Sequence, residues 1–166
     1  MPQTNAATNI DIDGLLSKAK NEIKQNQLEL ATATLRQILA EQPMHRDALY
    51  FFAVCLRRQD SHDKAFEVLN KLLEVQPHNG RAFQEFGHNY VALNEMDRAA
   101  EQFRLAVSKN PSLVASWAFL AKHFETKGDQ QLSSEAQRHV QYIQSLPPEL
   151  VSVSSLLHDE KIHQAE

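Results

Sequence analysis

Residues 80–113, GRAFQEFGHNYVALNEMDRAAEQFRLAVSKNPSL, decide the fold. Phe83, Phe86, Gly87 and Tyr90 lie at i, i+3, i+4 and i+7, the spacing of one helical face. Asn94 breaks the pattern, and asparagine tolerates the left-handed backbone that closes a helix. Ala99, Phe103, Ala106 and Val107 then form a second apolar face, which Pro111 ends. The stretch reads as two amphipathic helices joined by a tight turn.

Outward from it, the same unit recurs every 34 residues. Pro43, Pro77 and Pro111 keep that interval, and so do three columns of like residues. Ala19, Ala53, Gly87 and Ala121 are small, as are Ala31, Ala65, Ala99 and Ser133. Asn26, Asp60, Asn94 and Gly128 form a column that suits a left-handed turn. Small residues let neighbouring helices approach, and a lone helix pair cannot bury its apolar face, so the units are expected to stack. The boundaries read 12–45, 46–79, 80–113 and 114–145, after a polar, patternless and disordered stretch at 1–11.

These columns, the terminal prolines, and Leu49, Phe83 and Trp117 near the starts of the first helices resemble the tetratricopeptide repeat (TPR). The resemblance implies an all-α fold, a right-handed α-solenoid of antiparallel helix pairs. The third unit matches best; Phe86, Gly87, Tyr90, Ala99, Phe103, Ala106 and Pro111 stand at family positions. The end units depart from the pattern. Glu22 occupies the column of Leu56, Tyr90 and Phe124, Gln137 stands where an apolar residue is expected, and Ser145 replaces the proline. Beyond Pro147 and Pro148 the apolar spacing resumes with Leu150, Val153, Leu156 and Leu157, and 156–165 parallels 22–31. Residues 146–166 therefore read as the start of a fifth repeat, cut as its second helix begins, with the chain an N-terminal fragment of a longer protein.

Composition bounds the function. The chain has 166 residues, 42% hydrophobic and 23% charged, enough to bury a core. Its longest apolar run, 48–56, is far short of the roughly 20 residues that span a bilayer. No secretory signal is visible, and the single cysteine, Cys55, fits a reducing compartment, so a cytoplasmic protein without a membrane partner is expected. A net charge of −4 argues against nucleic acid. The eight histidines show no metal-ligand spacing; His158 and His163 are five apart. Cys55 lies in an apolar helix, as a buried thiol does, and the four isolated glycines form no phosphate cradle. Neither catalysis nor a cofactor or metal is expected of this chain.

Family resemblance places function on the inner face of the first helices. The positions there are Asp13, Leu16, Lys20, Ile23 and Lys24; Asp47, Tyr50, Val54, Arg57 and Arg58; Arg81, Gln84, His88, Val91 and Ala92; and Ala115, Ala118, Lys122, Glu125 and Thr126. Six are cations and three are acids, a net +3 on a chain of −4. The expected site is a groove for a protein or acidic peptide, carried by Lys20, Lys24, Tyr50, Arg57, Arg58, Arg81, Gln84, His88 and Lys122. An alternative stays open, because cations also collect at helix C-termini to complement the macrodipole. The Lys/Asn pattern of repeats that clamp acidic chaperone tails is not matched, with Leu16, Lys20 and Val54 at the relevant positions.

A second class of function comes from a closer likeness. ALYFFAVCLR at 48–57, GRAFQEFGH at 80–88 and LPPEL at 146–150 are similar to the N-terminal arrays of bacterial proteins that join these repeats to a sulfotransferase. That resemblance implies a substrate-recruiting arm, with phosphoadenosine phosphosulfate used only by a domain downstream of Glu166. Self-association through Leu150, Val153 and Leu157 of the last helix is a further expectation.

Overall fold

The computed structural model describes residues 10–160. Within them the chain forms nine α-helices: α1 (Ile12–Lys24), α2 (Leu28–Glu41), α3 (Arg46–Arg58), α4 (His62–Val75), α5 (Gly80–Ala92), α6 (Met96–Lys109), α7 (Val114–Thr126), α8 (Gln130–Ser145) and α9 (Pro148–Glu160). Helices α1, α3, α5, α7 and α9 begin at 34-residue intervals, and so do α2, α4, α6 and α8. Each odd helix from α1 to α7 packs on the even helix after it, and each even helix from α2 to α6 packs on the next odd one. The result is an all-α solenoid.

The turns show why the period holds. Asn26, Asp60 and Asn94 have φ of 59°, 55° and 60°, and Gly128 has 78°. After each, the next amide donates back five residues: Gln27 to Glu22, Ser61 to Leu56, Glu95 to Tyr90 and Asp129 to Phe124, at 2.8–2.9 Å. These bonds close the helix ends. The small columns lie in the interior, and Ala19, Ala53, Ala31, Ala65 and Ala99 are fully buried.

Three apolar clusters run along the stack, centred on Leu35 and Ile38, on Leu69 and Leu72, and on Phe103 and Leu120. Glu22 is buried at its apolar column, and the Thr34 hydroxyl donates to its carboxylate at 2.9 Å. That bond answers the desolvation a lone buried carboxylate would suffer.

Helix α8 has 16 residues where α2, α4 and α6 have 14. Ser145, unlike Pro43, Pro77 and Pro111, keeps its amide hydrogen and does not force its predecessor out of helix, so α8 runs on. Only residues 146–147 then separate α8 from α9, against four residues at each earlier junction. Helix α9 opens on Pro148, a residue suited to the first helical position. Its polar contacts reach upstream. Ser155 Oγ accepts from Asn110 Nδ2 at 2.9 Å and from Arg81 Nη2 at 3.3 Å, and Ser154 and Ser112 share a bond of 2.9 Å. The expected turn and second helix of a fifth repeat fall in 161–166, outside the described residues, as does most of the stretch expected to be disordered.

Candidate peptide-binding pocket

The first turns of α3 and α5 meet the middle of α1 around a cavity of about 250 Å³. Lys20, Arg46, Asp47, Tyr50, Phe51, Gln76, Asn79 and Arg81 line it, and Leu156 of α9 stands at its edge. Three cations thus face one acid. Two helix N-termini add positive potential from their aligned peptide dipoles. His45 caps α3 by accepting the Ala48 amide at 3.2 Å, and Asn79 caps α5 by accepting the Ala82 amide at 2.9 Å. Asn79 also donates to Gln76 Oε1 at 2.7 Å, which fixes the loop between α4 and α5. Lys20 Nζ sits 5.2 Å from the Phe51 ring centre, and Tyr50 meets Phe51 edge-on at 5.2 Å.

The nine expected groove residues divide. Lys20, Tyr50 and Arg81 come together in this cavity. Arg57 is elsewhere, bonded at 2.7 Å to Glu85, whose carboxylate is buried. Arg58 reaches the end of α1, donating to Ile23 O at 3.3 Å and to Asn26 Oδ1 at 2.7 Å. Lys122 pairs with Glu125 at 3.1 Å, and Lys24 is exposed in the last turn of α1. Gln84 donates to the buried Ser116 hydroxyl at 3.0 Å. His88 packs edge-on against Phe103, and burial holds its imidazole pKa below the ordinary 6.5.

Arg46, Gln76, Asn79 and Glu85 escaped the sequence reading. A signal for Glu85 exists. Hydrogen bonds from side chain to side chain between neighbouring units span 27 to 32 residues, as in His62 with Asn89, Arg57 with Glu85, and Gln84 with Ser116. Scanning for opposite charges at that separation finds Arg57 and Glu85. Among the described residues no group of three or more His, Cys, Asp or Glu gathers as for a metal, and no helix is long and apolar enough to cross a membrane. Cys55 is fully buried, and burial pushes its thiol pKa to about 11.

The tetratricopeptide repeat family model matches residues 16–80. A segment of the human protein O-mannosyl-transferase TMTC1 is 25% identical over 95 residues, 55% of this chain but 11% of that protein's length. The structure of a MamA variant, the RS-1 ArsTM double mutant, superposes with a TM-score of 0.66 at 19% identity, covering 81% of this chain and 75% of that one. MamA from residue 41 onward of Desulfovibrio magneticus RS-1 gives 0.63 at 20% identity, over 82% and 75% of the two chains. None of these matches supports the likeness to sulfotransferase fusions. Residues 16–80 are thus similar to the tetratricopeptide repeat, and the chain shares its fold with MamA.

Proposed function

We propose that the chain is a protein-interaction scaffold whose first-helix face takes an extended acidic peptide. The cavity at Lys20, Arg46 and Arg81 carries this reading, because three cations and two helix N-termini converge there on a single acid, Asp47. Carboxylates of the peptide would take charge-assisted bonds from Arg46 and Arg81, and Tyr50 offers a flat apolar surface with a polar tip. Arg57 and Arg58 are not assigned to peptide, since Glu85 and the end of α1 engage them. The reading as a recruiting arm of a sulfotransferase draws on no residue of this cavity.

The test is a fluorescence anisotropy titration with a labelled glutamate–leucine peptide bearing a free C-terminal carboxylate. Arg81→Glu and Lys20→Glu are each expected to weaken binding about ten-fold or more, the cost of losing one charge-assisted bond and gaining a repulsion. Lys71→Glu, on the second helix of its unit, is expected to leave affinity unchanged. Affinity should fall with added salt, as for partly exposed charge pairs. Equal binding by all three variants would refute the reading.

A further inference from the structure

We propose that α9 is an internal competitor for this groove, docked across it and displaced when a partner binds. The inference rests on the acidic-peptide reading and adds its regulation. Ser155, 6% exposed, is the seat of the docked helix. Its hydroxyl accepts from the fully buried Asn110 and from Arg81, and its carbonyl accepts from Asn110 at 3.2 Å. Arg81 therefore serves both the cavity and α9. One residue further on, Leu156 reaches the edge of the same cavity beside Lys20 and Tyr50. A peptide that engages Arg81 meets α9 in its way.

The manner of docking favours release. Helices in globular proteins are held mainly by burial of an apolar face. Here the buried side is the serine side, while Leu150 and Val153 remain 56% and 52% exposed. Nor is α9 flush against α8. A cleft of about 620 Å³ lies between them, lined by His139, Tyr142 and Leu146 on one side and by Val151, Ser154 and His158 on the other. The helix is attached by a few hydrogen bonds and a two-residue connection. Its four large apolar residues Leu150, Val153, Leu156 and Leu157 are 42–56% exposed even with the helix docked.

The competition has a covalent test in the full chain. Ser112 and Ser154 have their hydroxyl oxygens 2.9 Å apart, so the double variant Ser112→Cys/Ser154→Cys places two thiols for a disulfide that pins α9 down. Oxidation joins the two sulfurs with loss of two hydrogens to added oxidised glutathione, which leaves as two molecules of the thiol. Cys55 stays out of the exchange because its thiol is buried and protonated. Titrated with the same glutamate–leucine peptide, the oxidised form is expected to bind at least about ten-fold more weakly than the reduced form, since the competent state is no longer populated. Ser155→Phe, too large for its seat, is expected to bind more tightly than the parent chain. Failure of the thiols to pair, or equal binding by oxidised and reduced forms, overturns the competition. If binding then still falls on Arg81→Glu, the groove stands and only α9 loses its role. If Arg81→Glu has no effect, the groove reading fails and the competition with it.

Discussion

Gly87→Ala is a sharp probe of how this stack is packed. A methyl carbon at Gly87 would lie 2.8 Å from Cε1 and Cζ of Phe103 and 2.9 Å from Cδ1, where ordinary carbon contacts begin at about 3.5 Å. The ring cannot step aside. It is fully buried, with Phe119 at 4.5 Å and His88 at 5.2 Å between ring centres. Overpacking of this kind costs about 1–3 kcal/mol, and the better helix propensity of alanine returns about 1 kcal/mol. The expected net loss is about 1 kcal/mol, a fall of about 2–4 °C in Tm for a chain of this size. The reason for glycine lies in its partner: the positions 34 and 68 residues before Phe103 are Leu69 and Leu35, which share clusters with Ala53 and Ala19. A larger residue on the second helix is matched by a smaller one on the first. Gly87→Ala/Phe103→Leu, which installs the pairing of the earlier units, should therefore be more stable than the two single changes add up to, by about 1 kcal/mol. Urea unfolding of the four proteins measures this. A stabilising Gly87→Ala, or strict additivity in the cycle, would show that Gly87 and Phe103 do not constrain each other.

Two further outcomes follow from buried polar groups. Thr34→Val should cost about 1–3 kcal/mol by leaving the Glu22 carboxylate without its hydroxyl donor, whereas Glu22→Leu/Thr34→Val should recover that loss; urea midpoints of the two variants decide it. For His88, burial is the main cause that lowers the folded-state pKa below 6.5, so the unfolded chain takes up a proton first as the pH falls. Its stabilising effect is therefore complete above pH 6.5 and is lost as pH falls through the folded value. The drop in urea midpoint between about pH 7.5 and about pH 5.5 should be smaller in His88→Phe than in the parent.

The repeat was legible because it is written in local chemistry. A left-handed turn needs Asn, Asp or Gly, and Asn26, Asp60, Asn94 and Gly128 adopt positive φ. A close helix approach needs a small residue, and the alanine columns are buried. The site was legible only in part. Lys20, Tyr50 and Arg81 of the candidate cavity stand in columns that the repeat makes visible, but a column does not say which side chain of the next unit answers it. Glu85 neutralises Arg57 from 28 positions away, and the loop residues Gln76 and Asn79 close the cavity from outside the first helices. The path of α9 was also hidden. Losing the proline at Ser145 lengthens α8 and shortens the junction, and where the next helix then settles depends on hydrogen bonds to Arg81, Asn110 and Ser112.

Docking of an acidic peptide at the meeting of α1, α3 and α5 is the proposal on which the rest depends. The most direct measurement is the change in amide shifts of the isotope-labelled chain on titration with the glutamate–leucine peptide. Saturable shifts are expected at Arg46, Tyr50, Asn79 and Arg81, with those of Ser154 and Ser155 moving as α9 leaves. Shifts confined to the second helices, or none at Arg81, would contradict it.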